Sequence, residues 1–251
     1  MEKESHPGIY LLPNLLTTAS LFAAFYSLVS AMKGYYEAAA VAIFIGMISD
    51  TLDGRIARLT NTQTEFGAQY DSLSDMVTFG VAPSLLLYQL TLGQLGKFGW
   101  LVAFLYTASV ALRLARFNTQ IETADKRYFQ GLPCPPAAAV LVSFSWLCFQ
   151  HGWQDFVSVS ILTALLALSL AVLMVSNLSY YSFKEVDFKG KVPFLYILIA
   201  ILIFTAVALE PTSVLFAFFS LFALSGPVLA LISWIKARKG LPEGDDKSKD
   251  V

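Results

Sequence analysis

Apolar runs of close to twenty residues recur eight times along this 251-residue chain, and that is the length a helix needs to cross a bilayer. They fall at about 14–32, 36–59, 69–92, 98–118, 135–152, 155–175, 193–209 and 212–235. The breaks are short and carry polar or Gly/Pro punctuation: Lys33-Gly34, Thr60 to Phe66, Gly93 to Lys97, Asn118 to Pro136, Gly152 to Asp155, Ser176 to Val192 and Glu210-Pro211. No soluble domain fits between them. The expected fold is all-α, a polytopic transmembrane bundle of about eight spans, forming one integral membrane domain over residues 1–251. The tail 240–251 is expected to be disordered.

Composition supports this and removes other classes. Hydrophobic residues make up 56% of the chain and mean hydropathy is +0.62, against an apolar share of roughly 45–50% in soluble domains. A net charge of −1 and a pI near 6.1 give no basis for nucleic-acid binding. The two cysteines, Cys134 and Cys148, have no metal-ligand neighbours at useful spacing, so neither a disulfide nor a zinc site is expected. One lysine among two glutamates makes a poor signal-peptide start, so the first apolar run is expected to remain as a span.

Basic residues orient the bundle. With both termini in the cytoplasm, the inner side collects Lys3, Arg55, Arg58, Arg113, Arg116, Lys126, Arg127, Lys184, Lys189, Lys191, Lys236, Arg238, Lys239, Lys247 and Lys249. Only Lys33 and Lys97 fall outside. The expected location is the cell (cytoplasmic) membrane.

Against this apolar background stand four aspartates. Asp50, Asp53, Asp71 and Asp75 lie in the second and third runs, within the pattern D-x-x-D-G-x-x-A-R-(x8)-G-x-x-x-D-x-x-x-D. An aspartate at the centre of a bilayer helix costs about 2.5–3.5 kcal/mol, so four would cost roughly 10–14 kcal/mol without compensation. Asp50 and Asp53 are three apart and Asp71 and Asp75 four apart, so each pair shares a helix face. Two such faces turned together form an all-oxygen cage suited to hard divalent cations. Between the pairs, Gly54 and Gly67 admit close approach of a ligand, and Arg58 carries a planar fork suited to phosphate oxygens. Interhelical hydrogen bonding, a structural cation site and an ion pathway are the competing readings of intramembrane acids, and the phosphate-sized Arg58 fork argues against the pathway.

The pattern from Asp50 to Asp75 is similar to the signature of the CDP-alcohol phosphatidyltransferases, integral membrane enzymes that displace CMP from a CDP-linked lipid with an alcohol. Further stretches extend the resemblance: Pro13-Asn14-Leu15-Leu16-Thr17, Arg58 to Gln69, Arg113 to Asn118, and Gly131-Leu132-Pro133-Cys134-Pro135-Pro136. The last two resemble the serine-accepting branch of the family. The resemblance is strong over roughly residues 11–140, the expected catalytic core, whereas the additional spans at about 153–235 share hydropathy alone.

The resemblance implies transfer of the phosphatidyl group from CDP-diacylglycerol to the hydroxyl of L-serine, with release of CMP. It implies two Mg²⁺ or Mn²⁺ ions on Asp50, Asp53, Asp71 and Asp75, with Asp75 also acting as the base that takes the serine proton. Gly54, Ala57, Arg58, Gly67, Asn14 and Thr17 would contact the CDP group. Membrane lipid surrounds such an enzyme, its site faces the cytoplasm, and a homodimer is usual for the family. Serine also needs a cation for its carboxylate, and Arg113 and Arg116, three apart on one helix face, are the candidates. Three readings stay open alongside these: Arg113 and Arg116 as interfacial anchors, Pro13-Asn14 as an ordinary helix start, and glycerol-3-phosphate or inositol phosphate as acceptor in place of serine. A divalent metal-ion transporter is the remaining alternative from another class.

Overall fold

A computed structural model of the chain describes residues 11–60, 62–120, 128–181 and 194–238. The expected tail 240–251, together with Lys3, Lys126, Arg127, Lys184, Lys189, Lys191, Lys239, Lys247 and Lys249, lies outside the described residues.

The architecture is helical, and the helices follow the apolar runs. In chain order they are α1 (Leu11–Met32), α2 (Tyr36–Thr60), α3 (Glu65–Asp75), a π-helical segment (Met76–Val81), α4 (Ala82–Leu90), a 3₁₀ turn (Leu92–Leu95), α5 (Lys97–Gln120), α6 (Cys134–Gln150), α7 (Val157–Val175), α8 (Phe194–Leu209) and α9 (Pro211–Arg238). Among the described residues four helices are long and apolar enough to cross a membrane: Leu12–Met32, Lys97–Thr119, Val157–Val175 and Pro211–Ser233. Cys134–Gln150 is a shorter apolar helix. Phe22, Phe104, Val172, Phe204 and Leu221 are exposed on these rods, which is the surface that lipid covers in an integral membrane protein.

Two short strands were not evident from the sequence. Tyr128–Gln130 (β1) pairs antiparallel with Ser179–Tyr181 (β2), with Tyr128 opposite Tyr181 and Gln130 opposite Ser179. Each lies in a loop between helices, so the pairing fastens the α5–α6 connection to the α7–α8 connection. The Tyr180 ring then packs against Gly226 of α9 so closely that a Cβ there would overlap it, and its hydroxyl donates to the Ala223 carbonyl at 3.0 Å.

Two cores result. One gathers Phe79, Val102, Tyr106, Val110, Leu141, Leu170 and Tyr180 between α5, α6, α7 and the π segment. The other joins Ala24, Ala31, Ala39, Ile43, Leu86 and Val142 from α1, α2, α4 and α6. The small residues matter because they let α1 and α2 approach closely.

The third rod differs in detail from the expected span at 69–92. It begins earlier, at Glu65, because the Thr64 hydroxyl accepts from the Gly67 N–H at 3.0 Å and caps the helix. It then passes through a π segment directly after Asp75. Wide turns of this kind release backbone carbonyls. Here Tyr106 and Thr107 of α5 supply hydroxyls to them, Tyr106 to Phe79 at 3.1 Å and Thr107 to Gly80 at 3.5 Å.

Candidate active site

The four aspartates come from two rods that cross. Gly46, one turn before Asp50, makes the approach possible: a Cβ there would sit 3.0 Å from Thr78 Cγ2 and 3.4 Å from the Ser20 carbonyl oxygen. Hydroxyl groups fasten the third rod to α1 beside this crossing. Ser74 donates to the Thr17 carbonyl at 3.2 Å, and Ser20 and Thr78 share a hydrogen bond of 3.3 Å. In an apolar surrounding such small and hydroxylated residues act as interhelical glue.

Asp50, Asp53 and Asp71 each offer a carboxylate oxygen within 4.8 Å of the others. Asp50 also lies within hydrogen-bonding reach of Asp75, which stands against Asp50 and Asp71 at the edge of the group. Asp53 is buried, and its Oδ2 accepts from the Thr17 hydroxyl at 2.7 Å. Asp71 Oδ1 and Asp75 Oδ1 are buried without a hydrogen-bond partner among the described residues. Among the described residues no lysine or arginine forms an ion pair with these four. A concentrated, oxygen-only donor set with orphaned carboxylate oxygens fits hard divalent cations.

Around the carboxylates, the Arg58 guanidinium lies over Gly54, 3.8–4.0 Å from where a Cβ would stand. Arg58 itself is exposed and Ala57 half-buried on the same helix. Gly67 faces Asn14: a Cβ would meet Asn14 Oδ1 at 3.4 Å and Thr64 Oγ1 at 3.0 Å. The start of α1 thus meets α2 through Thr17 and Asp53 and the start of α3 through Asn14 and Gly67, while Gly54 and Arg58 follow Asp53 toward the end of α2.

Arg113 and Arg116 do not act as a pair. Arg113 is buried, with Nη1 donating to Cys134 Sγ at 3.6 Å and Nε lacking a partner among the described residues. Arg116 is committed elsewhere. Its Nη1 donates to the Val175 and Ser176 carbonyls at 3.2 and 3.5 Å, and its Nη2 to Gln130 Oε1 at 2.6 Å and Asn177 Oδ1 at 2.8 Å. It closes the end of α7 onto β1 rather than presenting a free fork.

Several residues of the site escape a reading of charges alone. Ser72 and Asn118 share a hydrogen bond of 3.0 Å that ties α3 to the end of α5 beside Asp71. Thr18 and Tyr70 meet through their hydroxyls at 2.9 Å. Their signal in the sequence is hydroxyl and amide groups at helical spacing from the aspartates, which is weak on its own.

With this geometry in view, residues 10–175 match the family model described as CDP-alcohol phosphatidyltransferase. This chain belongs to the CDP-alcohol phosphatidyltransferase family. Members of the family generally depend on divalent metal, in keeping with the carboxylate group. The matched segment runs from α1 through α7 and contains every candidate residue named above. Among curated relatives, the CDP-diacylglycerol–serine O-phosphatidyltransferase of Helicobacter pylori (strain J99) is 37% identical over 227 residues, covering 90% of this chain and 92% of the relative. The enzyme of that name from Bacillus subtilis is 34% identical over 174 residues, which is 69% of this chain and 92% of its own. That of Methanocaldococcus jannaschii is 37% identical over 138 residues, 55% of this chain and 61% of the relative.

Proposed function

We propose that this phosphatidyltransferase moves the phosphatidyl group of CDP-diacylglycerol onto the hydroxyl of L-serine, giving phosphatidylserine and CMP. The observation that carries the reading is the convergence of Asp50, Asp53 and Asp71 within 4.8 Å in an apolar bundle of this family. The names of the relatives support serine as acceptor.

Asp50, Asp53 and Asp71 hold the metal, with Asp75 completing the set from its edge. Two divalent cations, Mg²⁺ or Mn²⁺, supply when bound the Lewis acidity that polarises the phosphoryl group and steadies the departing CMP. Thr17 fixes the Asp53 carboxylate by its 2.7 Å hydrogen bond. Arg58, with Gly54, Ala57, Gly67 and Asn14, borders the CDP group, and Arg58 supplies its fork to phosphate oxygens. Asp75 takes the proton from the serine hydroxyl as that oxygen attacks phosphorus and the bond to CMP breaks. General-base help of this kind is worth about 10²–10⁴-fold. Arg113, whose buried Nε has no partner among the described residues, receives the serine carboxylate. Arg116 serves by holding the α7 end.

The same reading places eight spans in the cell membrane, with both termini and the carboxylate group on the cytoplasmic side, as the fifteen-to-two distribution of basic residues favours. CMP then leaves into water while the acyl chains of CDP-diacylglycerol enter from lipid. The core at about 11–140 carries the chemistry, the spans at about 153–235 buttress it, and the protein works as a homodimer.

Purified protein in detergent, given CDP-diacylglycerol, divalent metal and one acceptor at a time, tests the reading through CMP release. Release that depends on serine is expected. Release that depends on glycerol-3-phosphate or inositol phosphate would reassign the acceptor, and no release with any alcohol would return the carboxylates to ion transport.

A further inference from the structure

Cys134 borders the site, and none of these roles uses it. It is the first residue of α6, a free thiol only 1% exposed. Its sulfur takes one arm of the Arg113 guanidinium at 3.6 Å, and the thiol lies within electrostatic reach of Asp50 and Asp75. Arg113 is itself 9% exposed, and its Nε has no partner among the described residues. A buried guanidinium with one arm seated and one donor unfilled among the described residues is prepared for an anion.

The backbone beneath Cys134 is held independently of its side chain. Gly131 N–H donates to the Leu178 carbonyl at 2.8 Å, and Leu132 N–H to the Leu173 carbonyl at 3.0 Å. Gly131 has φ +74°, and a Cβ there would overlap the Met174 carbonyl oxygen, so only glycine lets the strap lie this close to α7. Pro133, with Pro135 and Pro136 in the first turn, starts α6 at a fixed point. Arg116 adds its bond to Gln130 just before the strap. Position 134 is thus set by the main chain, and its side chain both packs in the core at the start of α6 and meets Arg113.

A thiol suits that task. Sulfur is a weak acceptor that seats Nη1 without neutralising the guanidinium, whereas a carboxylate here would form a full ion pair and occupy the fork. We infer that Cys134 is a positioning residue for acceptor choice: it seats one arm of Arg113 and leaves Nε for the carboxylate of the amino-acid acceptor. The inference rests on the proposed serine reaction and on Arg113 as its carboxylate partner.

Steady-state kinetics of Cys134→Ala, Cys134→Ser, Arg113→Lys and the double variant Arg113→Lys/Cys134→Ala, with each substrate varied separately, tests it. Cys134→Ala is expected to raise KM for serine about three- to tenfold, the span of one modest hydrogen bond, with KM for CDP-diacylglycerol and kcat unchanged. Cys134→Ser, which keeps a smaller acceptor and fills the space, should fall between wild type and the alanine variant. It keeps the test alive if the alanine variant does not accumulate. In the double variant, loss of Cys134 should add nothing to Arg113→Lys, since a seat matters only while the guanidinium is there. If neither Cys134 variant moves KM for serine while Arg113→Lys raises it, the inference is overturned and the Arg113 assignment stands. If Arg113→Lys is also silent while CMP release still requires serine, both fall. Equal rises in KM for both substrates would mark Cys134 as a general packing residue and overturn the inference as well.

Discussion

The Thr17 hydroxyl donates to Asp53 Oδ2 at 2.7 Å, joining the first turns of α1 to the end of α2. The Pro13 carbonyl oxygen lies 3.1 Å from the same hydroxyl, so Thr17 is oriented from both sides. A carboxylate asked to hold a cation gains from such a partner because its rotamer is fixed before the ion arrives.

Replacing Thr17 by Val keeps the shape and removes the donor. Loss of an outer partner of a metal ligand typically weakens metal affinity or activity by about 10–100-fold. The Mg²⁺ or Mn²⁺ concentration for half-maximal CMP release should therefore rise by that order, while Thr17→Ser stays near wild type. A Thr17→Val enzyme with an unaltered metal requirement would show that Asp53 needs no such support.

Asp75→Asn separates the base from the metal ligands. The amide keeps a ligand-capable oxygen and loses the proton acceptor, so turnover should fall about 10²–10⁴-fold while metal-dependent binding of CDP-diacylglycerol persists. Asp53→Asn should weaken both. Retention of more than about a tenth of wild-type turnover in Asp75→Asn would contradict the general-base role.

Arg113 and Arg116 make a third contrast. Arg116 has four acceptors, on Val175, Ser176, Asn177 and Gln130, so Arg116→Ala should lower the melting temperature in detergent by about 3–8 °C while KM for serine changes little in the protein that survives. Arg113→Ala should instead reduce use of serine on the order of ten- to a hundredfold. Melting curves and serine titrations on the two variants decide it; reversed effects would exchange the assignments.

Much of this was legible from the chain because hydropathy and charge carry it directly. Runs at the length of a bilayer span give the helices, and the four aspartates stand out because acids in such runs need a reason. What was not legible depends on relations between distant residues. The β1–β2 pairing needs two loops to meet across more than forty residues of sequence, and three-residue strands have too little alternation to be read. The π segment after Asp75 is stabilised from α5 through Tyr106 and Thr107, so nothing within Met76–Val81 announces it. Arg113 and Arg116 share a face by count, yet the end of α7 captures only the second.

Orientation can be read with single cysteines, since both native thiols are buried. Gln63, in the loop between α2 and α3, and His151, in the turn after α6, are both exposed. A cysteine at position 63 should react with an impermeant maleimide only from the cytoplasmic side, and one at 151 only from outside. The opposite pattern would release CMP into the wrong compartment.

The central claim is most directly tested by following labelled serine into lipid. Purified protein should convert serine and CDP-diacylglycerol into phosphatidylserine in step with CMP release, lose this on chelation, and regain it on addition of Mg²⁺ or Mn²⁺, with no recovery in Asp71→Asn. Label that stays in the aqueous phase, or incorporation indifferent to the chelator, would contradict the account.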